Sequence, residues 1–441
     1  MASTSSTVSL PVVFTTQTAY PLPTQKFMIP ATWKRYQLSQ LVNKALSLPQ
    51  IVPFDFLVKG EILRTTLGEW CAEHGVGEEE TLEIEYIESV MPPEKVSDFP
   101  HEDWVSSVSC KLHGQFFTAS YDGHIRSFDY TKNATSSTHA HSAPITSICL
   151  VPTPSADPTS NTHTIASASH DLTAQLTQIT LKSPETPSPP IATPLATLHL
   201  HTAPVASIAC DGAGTHLVTA SWDGLVGLWD TSIPETDEVP QHEPSERERK
   251  KRRRVDEERK KAPRKAPVSV LKSHIGRVSR ALFALDENTK AYSCGFDSTV
   301  RVWDTETGVC VHAVTASEKP FLDLAFPQDR DTILASSTDR TMTLYDLRIP
   351  TPVMPANAPL SFMHPATPSC LAASSTSQQV VSGAYDGVAR LWDLRSTKDA
   401  VASFRAWEGA GKILSVDWER GMVGVGGEGG FGVWKVGEGT R

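Results

Sequence analysis

The stretch VTASWDGLVGLWD, residues 218–230, decides the fold. An apolar segment ends at Ser221, an Asp-Gly step follows, and an alternating segment then ends on Trp229. Asp-Gly between two such segments is a strong signal for a tight hairpin, because glycine accepts the positive φ that the turn requires. The stretch therefore predicts two antiparallel strands joined at Asp223 and Gly224.

Six more stretches repeat this arrangement along the chain, among them FTASYDGHIRSFD and VSGAYDGVARLWD. The turn acids and the residues six positions later are Asp122 and Phe128, Asp171 and Thr177, Asp223 and Trp229, Asp297 and Trp303, Asp339 and Tyr345, Asp386 and Trp392, and Glu428 and Trp434. Most spacings are 42 to 52 residues, and the units that end in Trp-Asp resemble WD40 repeats. Seven copies predict a mainly β fold, a seven-bladed propeller over residues 101–441.

A histidine precedes most of the turn acids. In the third blade the WD40 resemblance is complete, and it implies a buried relay from Trp229 through Ser221 and His201 to Asp223. The pairs His101–Asp122, His274–Asp297 and His364–Asp386 repeat the spacing. A catalytic His-Asp pair is the alternative interpretation. We favour the structural one, because a catalytic pair does not recur once per repeat.

Residues 8–88 lack the repeat and predict a separate domain. Two short strands are followed by a helix over residues 39–46, for which Ser39 is a plausible cap. A strand pair turns at Gly60, a short helix over residues 66–74 ends at Gly75, and a last strand follows. This order resembles ubiquitin, a β-grasp. Residues 89–100 are predicted as a linker, and we expect a strand around residues 98–105, or just before it, to close the propeller ring.

The longest spacing, 74 residues, places an insertion at about residues 231–268. Between residues 245 and 265 there are 12 basic and 5 acidic residues, a net charge of +7, which leaves −17 for the remainder. With prolines and no apolar periodicity, the insertion is predicted to be disordered. Three readings of its basic run stay open: nuclear import, contact with RNA phosphates, and a plain solvated loop. The run consists of Lys250, Lys251, Arg252, Arg253 and Arg254.

The stretches PFDFLVKGEILRTTL and YIESVMPPEKVSDFPHEDWVSSV are similar to the WD-repeat subunits of PeBoW complexes, the fungal YTM-type ribosome-biogenesis family. The resemblance implies a nuclear, nucleolar and nucleoplasmic assembly factor for the large (60S) subunit and its rRNA maturation. It implies that the propeller binds the propeller of a Bop-family subunit, which contacts pescadillo. It also implies that the ubiquitin-like domain is grasped by midasin, an AAA ATPase that strips the complex from the precursor particle.

The stretch HGVGEEETLEIEY, residues 74–86, places three glutamates where a turn meets the last strand of the first domain. Midasin carries a metal-ion-dependent adhesion site, whose Mg²⁺ leaves a coordination position open for a partner's carboxylate. The family pattern assigns that role to Glu79, while Glu78 and Glu80 would add negative potential that steers association. The other interpretation is three ordinary solvated acids.

Other classes of protein are disfavoured. We find no secretory signal, no apolar run long enough to span a membrane, no paired cysteines and no cofactor motif. Nucleotide-binding, hydrolase and metalloprotease motifs are also missing, so an enzyme is not expected. The remaining alternative is a ubiquitin-pathway adaptor, which would pair the ubiquitin-like domain with a WD40 substrate reader.

Overall fold

Two compact units make up the computed structural model, Met1–Pro93 with Trp392–Ala402 and Val436–Arg441, and Glu94–Leu391 with Ser403–Lys435. The structure describes residues 8–77, 79–89, 91–131, 134–152, 162–181, 192–240, 262–284, 289–315, 319–327, 332–347, 360–396, 398–409 and 411–437. Neither helix within these ranges is long and apolar enough to cross a membrane.

The first unit contains a five-stranded sheet and two helices. Its elements are β1 Ser9–Thr15, β2 Lys26–Pro30, α1 Arg35–Leu46, β3 Phe54–Val58, β4 Glu61–Ile62, α2 Leu67–His74 and β5 Leu82–Glu88. The strand order is β2-β1-β5-β3-β4, with β1 and β5 parallel in the middle and Phe14 opposite Ile84. This is the predicted β-grasp.

Alternation along β5 builds the core of this sheet. Leu82, Ile84 and Tyr86 are buried, as their period-2 spacing predicted, and they pack with Leu38 and Val42 of α1. Each aliphatic side chain of this kind contributes about 1.5–3 kcal/mol when it is fully buried. The β-grasp therefore has its own core.

The start of α1 differs from the prediction. The helix begins at Arg35, and the Gln37 Oε1 accepts a hydrogen bond from the Lys34 N–H at 3.0 Å. Ser39 is not the cap, because it lies one turn inside the helix. Its hydroxyl instead accepts a hydrogen bond from the Phe54 N–H at 3.1 Å and ties α1 to β3.

The described residues of the second unit form seven sheets. The strands are β6 Met91–Phe99; β7 Val105–Ser109, β8 Gln115–Ser120, β9 His124–Asp129, β10 Ala134–His139; β11 Ile145–Val151, β12 Thr162–Ser169, β13 Ala174–Thr180, β14 Ala192–Leu198; β15 Val205–Cys210, β16 His216–Ser221, β17 Leu225–Asp230, β18 Arg264–Lys265, β19 Ser269–Lys272; β20 Val278–Phe283, β21 Lys290–Gly295, β22 Thr299–Asp304, β23 Val309–Thr315; β24 Phe321–Ala325, β25 Thr332–Ser337, β26 Thr341–Asp346, β27 Leu360–Met363; β28 Pro368–Ala373, β29 Gln379–Ala384, β30 Val388–Asp393, β31 Ala402–Arg405; and β32 Ile413–Glu419, β33 Met422–Gly427, β34 Gly430–Gly437.

The first strands of successive sheets contact each other in sequence from β7 to β32, and β32 contacts β7 again. The seven sheets are therefore the blades of a closed ring, and the predicted propeller is confirmed. Blade 3, which holds the stretch that predicted the fold, consists of β15, β16, β17 and β19.

Closure of the ring uses a strand from before the first repeat. Strand β6 is the outermost strand of blade 7, beside β34, which agrees with the expected position just before residue 98. The prediction of a linker over residues 89–100 is therefore wrong for most of that stretch. Strand β6 contains Pro92 and Pro93, which an edge strand accommodates, since one side of it needs no ladder hydrogen bonds.

The ends of the basic insertion are ordered, in contrast to the prediction. Strand β18 pairs in parallel with β14 and adds a fifth strand to blade 2. The Arg264 N–H donates to the Asp237 carboxylate at 2.8 Å, and the Ala266 N–H donates to Glu238 at 2.9 Å. Disorder predicted for residues 231–268 is therefore wrong at both described ends, where backbone hydrogen bonds fix the chain.

The glycines of blade 7 make room for a tryptophan. A Cβ on Gly429 would lie 2.4 Å from Trp407 Cγ, and one on Gly427 would lie 2.7 Å from the far edge of the same ring. The indole thus packs against the turn of blade 7 from both sides of Glu428. Glu428, in the place of the turn aspartate, accepts a hydrogen bond from the Lys412 N–H at 3.0 Å.

Candidate functional sites: the acidic turn and the blade networks

The acidic turn is held at both ends by regular structure. Helix α2 is capped at its N-terminus by Thr66, whose hydroxyl accepts from the Glu69 N–H at 3.1 Å, and at its C-terminus by Gly75. The Val76 N–H then donates to the Cys71 carbonyl at 3.0 Å. On the other side the chain enters β5, the central strand of the sheet. A turn between a capped helix and a central strand has little freedom to move.

Glu79 lies at the third position of a four-residue turn. The Glu80 N–H donates to the Gly77 carbonyl at 3.1 Å, which closes residues 77–80 into a hydrogen-bonded turn. Glu79 and Glu80 are both exposed. Glu78 lies outside the described residues, so its predicted supporting role stays a prediction.

The two described glutamates differ in their partners. The Glu80 carboxylate lies 3.9 Å from the Lys59 ammonium, and both side chains are more than half exposed. Lys26 donates to the Thr81 hydroxyl at 3.2 Å nearby. Glu79 makes no hydrogen bond or ion pair within the part of the chain that the structure describes. Glu79 is therefore the described acid whose oxygens are available to a cation brought by another molecule.

The same region has no metal centre of its own. Within the described ranges, no three His, Cys, Asp or Glu side chains lie close enough together to hold a metal ion. A single exposed carboxylate does not bind Mg²⁺ alone, because Mg²⁺ requires near-octahedral oxygen coordination. The turn can complete a site that a partner has already built.

The predicted import signal, Lys250 to Arg254, lies outside the described residues. The basic cluster after it, residues 259–265, is described in part, and Lys265 has a structural role. Lys265 is 2% exposed, and its ammonium contacts Asp230 and Ser232 at the base of the insertion. Burial lowers the pKa of this ammonium. Lys265 is therefore not available to an import factor.

The relay of blade 3 forms through a different hydroxyl from the one predicted. The Trp229 indole N–H donates to Thr219 Oγ1 at 3.0 Å, and Thr219 Oγ1 lies 2.9 Å from His201 Nε2. His201 Nδ1 lies 3.1 Å from the Asp223 carboxylate. The prediction that Ser221 mediates the relay is wrong, because Ser221 donates to the Ala203 and Pro204 carbonyls at 3.0 Å.

Gly227 leaves room for the indole beside Thr219. Gly227 faces Thr219 on the neighbouring strand, and a Cβ there would lie 2.9 Å from Trp229 Nε1. The indole points back along its strand to the residue four before the turn aspartate. The same contact forms in blade 4, where Arg301 stands in the place of Gly227 and the Trp303 N–H donates to Ser293 at 2.7 Å. The signal in the sequence is the hydroxyl residue four before the aspartate, Thr219 before Asp223 and Ser293 before Asp297.

The predicted His-Asp pairing repeats in blade 4 but not in blades 1 and 6. His274 Nδ1 lies 2.8 Å from Asp297. Asp122 is held instead by Arg126, and Asp386 by Arg390, each at 2.6 Å. An arginine four residues after the aspartate stands two residues along the next strand, on the same face, where it can bind the carboxylate. Blade 4 has Arg301 at the same position, 3.7 Å from Asp297, but Arg301 donates hydrogen bonds to Ser273 and Thr299, and His274 keeps its contact with the carboxylate. The predicted pairs His101–Asp122 and His364–Asp386 are therefore wrong.

These contacts determine the charge state of the turn aspartates. Burial raises the pKa of Asp223, but hydrogen bonds from His201 and from backbone N–H groups outweigh burial and keep that pKa below its usual value. In blade 6, burial and the neighbouring Arg390 lower the pKa of His364 to about 4. The pKa values of the six turn aspartates are all lowered, so these aspartates are ionised anchors for the loops, and His364 is neutral.

Comparisons with known proteins agree with both halves of the fold. Residues 10–71 match the NLE (NUC135) domain. The WD domain, G-beta repeat, matches at residues 94–129, 192–230, 265–304, 308–346 and 360–393. These ranges fall on blades 1, 3, 4, 5 and 6. Blades 2 and 7 are the ones in which Thr177 replaces the aromatic residue and Glu428 replaces the aspartate.

Whole-chain relatives are similar over nearly their full length. The chain is 64% identical to the ribosome biogenesis protein YTM1 of Laccaria bicolor, over 99% of this chain and 97% of the relative. It is 58% identical to YTM1 of Coprinopsis cinerea, over 98% and 96%. It is 30% identical to YTM1 of Vanderwaltozyma polyspora, over 89% and 88%.

Proposed function

The chain belongs to the YTM1 family of ribosome biogenesis proteins, and from this membership we propose that it is a non-enzymatic assembly factor for the large ribosomal subunit. In this proposal it acts in a PeBoW-type complex during maturation of the 27S, 5.8S and 25S rRNAs. Its propeller binds the propeller of a Bop-family subunit, and that subunit contacts pescadillo.

The ubiquitin-like domain is the part that midasin binds when the complex leaves the pre-60S particle. The observation that carries this proposal is the turn at residues 77–80, which presents Glu79 without a polar partner among the described residues. A coordinating carboxylate has to be exposed, unpaired and held in one place. Glu79 meets these requirements because α2 and β5 fix the two ends of its turn.

Affinity purification of the tagged full chain tests the assembly role. We expect pescadillo, the Bop-family subunit and precursors of the large-subunit rRNAs to co-purify, and the small-subunit precursors to be depleted. Recovery of ubiquitin ligase or proteasome subunits without pre-60S particles would instead support a ubiquitin-pathway adaptor. A tagged propeller protein of unrelated function controls for abundant ribosomal contaminants.

The site of action in this proposal is the nucleolus and the nucleoplasm, reached through Lys250 to Arg254. Replacing these five residues by glutamine should leave most of the protein in the cytoplasm, because an import receptor recognises the clustered charge. Fluorescence microscopy of the tagged chain measures this. Replacement of five exposed basic residues outside the insertion is the control, and unchanged nuclear accumulation in cells that lack the partner subunits would contradict the proposal.

A further inference from the structure

The outermost strand of each blade presents a row of backbone N–H and C=O groups that its own sheet does not pair. Such an edge adds a strand from elsewhere unless it is short, charged, interrupted by proline or covered. Most blades are protected in one of these ways. The outer strands β19, β27 and β31 have four residues each, β6 carries two prolines and three charged residues, and β14 is covered by β18.

Two outer strands lack this protection within the described residues, β10 of blade 1 and β23 of blade 4. Strand β10 has the sequence ATSSTH, which is polar. Strand β23 has the sequence VCVHAVT, seven residues without Lys, Arg, Asp or Glu. Val309 is 59% exposed and Val311 is 65% exposed. Among the described outer strands, β23 thus combines a long open edge with exposed apolar side chains.

Blade 2 shows how this fold accepts an added strand. The Thr197 N–H of β14 donates to the Pro263 carbonyl at 2.9 Å, and the His199 N–H donates to the Lys265 carbonyl at 3.2 Å. Both N–H groups therefore point away from β13, toward β18, which runs parallel to β14. Thr197 lies opposite Gln175, four residues after the turn aspartate of its blade.

Strand β23 repeats this register. Ala313 lies opposite Arg301, which is also four residues after its turn aspartate, and Thr315 lies two residues further on. Both outer strands carry a bulge at the same place, with Val311 as the extra residue of β23, so the bulge does not prevent the addition of a strand. The N–H groups of Ala313 and Thr315 therefore point outward, like those that β18 pairs in blade 2. No strand among the described residues pairs with this side of β23.

The charge beside this edge selects its occupant. Glu306 stands in the turn before β23, is exposed, and has no ion-pair partner in the described parts of the chain. A segment that pairs in parallel with Ala313 and Thr315 runs back along Val311, so that its first residues lie beside Glu306. A basic residue there is attracted, and an acidic one is repelled. A second copy of the chain brings an uncharged edge and a net charge of −10, which makes it the poorer occupant.

We propose that the open edge of β23 binds an extended, basic segment of a protein partner, which adds to blade 4 as a parallel fifth strand. The backbone carbonyls of the segment accept from the N–H groups of Ala313 and Thr315. An apolar side chain packs beside Val311, and a Lys or Arg near the start of the segment pairs with Glu306. Main-chain hydrogen bonds give such a strand its affinity, and alternate side chains give its specificity. The site lies on the rim of the propeller and goes beyond the assembly role proposed above.

Selection from a library of random 12-residue peptides displayed on phage tests the edge. The phage are first depleted on the full-length Ala313→Pro variant and are then selected on the wild-type chain. An edge strand accommodates proline, so the variant keeps its blade but loses an outward N–H. We expect the enriched peptides to alternate β-branched or aromatic residues with polar ones and to carry Lys or Arg near their N-terminus.

The enriched peptides are synthesised with fluorescein, and their affinities are measured by fluorescence anisotropy. Ala313→Pro should weaken them about tenfold or more, because a hydrogen bond is lost and the proline ring blocks the approach of the strand. Glu306→Gln should weaken them about threefold, as expected for an exposed ion pair. Ser137→Pro is the matched control, because Ser137 is exposed in β10 at the position that corresponds to Ala313. Its affinity should equal that of the wild type, and circular dichroism should show the same fold for all variants.

N-methylation of the peptides provides a second test, which uses the wild-type chain alone. In a strand, alternate residues direct both backbone groups to the same side. Methyl groups on one alternate set of residues should therefore abolish binding, and methyl groups on the other set should leave it intact. The proposal is overturned if no peptide is enriched after depletion, if the two sets have the same effect, or if Ala313→Pro binds as tightly as the wild type. It is also overturned if the wild type is a dimer by light scattering and Ala313→Pro is a monomer, which would assign the edge to a second copy.

Discussion

Replacement of Glu79 by glutamine weakens binding of the full chain to the metal-site domain of midasin by well over tenfold, while the thermal stability of the chain is unchanged. Glutamine keeps the length of the side chain but removes the negative charge that the cation requires. A bound metal ion interacts with a charged oxygen ligand by several kcal/mol, and about 1.4 kcal/mol already corresponds to a factor of ten. Stability does not change because Glu79 is exposed and has no polar partner among the described residues.

Calorimetric titration in Mg²⁺, and again after addition of EDTA, measures the effect. EDTA should reduce the wild type to the affinity of Glu79→Gln and should leave the variant unaffected. Glu80→Gln is the matched control, because Glu80 stands next to Glu79 and already lies near Lys59. Its affinity should fall less than about threefold, since an exposed charge beside the site contributes only by steering. Equal affinity of the wild type and Glu79→Gln would contradict the proposed metal contact.

The repeated turn signal was sufficient to predict the blades. Turn acids at spacings that are mostly 42 to 52 residues, followed by glycine in blades 1, 3 and 6, specify strand pairs independently of the rest of the chain, since the turn residues themselves dictate the local backbone. The alternation of Leu82, Ile84 and Tyr86 predicted the buried face of β5 for the same reason. Features that depend on local periodicity could therefore be derived from the sequence.

Features that depend on pairing between distant segments could not be located residue by residue from the sequence. Strand β6 carries two prolines and three charged residues, and only its partner β34 makes it a strand. Strand β18 consists of Arg264 and Lys265, which have no apolar pattern, and its order comes from β14 and from the burial of Lys265 against Asp230. Neither partner is indicated by the residues of the segment itself.

Competition for a partner limited the prediction of side-chain contacts. The spacing of histidine and aspartate is similar in blades 1 and 4, and each blade has an arginine four residues after the aspartate, yet only in blade 4 does the histidine contact the carboxylate. In blade 1 Arg126 binds Asp122, whereas in blade 4 Arg301 donates to Ser273 and Thr299. The arginine spacing alone therefore does not predict which side chain holds the aspartate. For Glu79 the resemblance to the family indicated the position, and the structure adds that this residue is exposed in its turn.

Removal of the Thr219 hydroxyl destabilises the propeller more than removal of the Ser221 hydroxyl. Thr219→Val preserves the shape of the side chain but leaves the Trp229 N–H and His201 Nε2 without their partner in a buried environment. Each unsatisfied buried group costs about 1–3 kcal/mol, so we expect a loss of about 3 kcal/mol in the free energy of unfolding. Ser221→Ala should cost about 1 kcal/mol, because its hydroxyl donates to carbonyls at the end of the strand.

A double-mutant cycle with Trp229→Phe identifies which hydroxyl receives the indole N–H. Thr219→Val and Trp229→Phe remove the two ends of one hydrogen bond, so the double variant should be more stable than the sum of the single effects predicts, by about 1 kcal/mol or more. Ser221→Ala and Trp229→Phe should be additive, because no hydrogen bond joins these side chains. Urea unfolding of the full chain, followed by far-ultraviolet circular dichroism, provides the free energies. Coupling between Ser221→Ala and Trp229→Phe, together with additivity of Thr219→Val and Trp229→Phe, would support the relay through Ser221 that the WD40 resemblance implied. It would contradict the geometry described for blade 3.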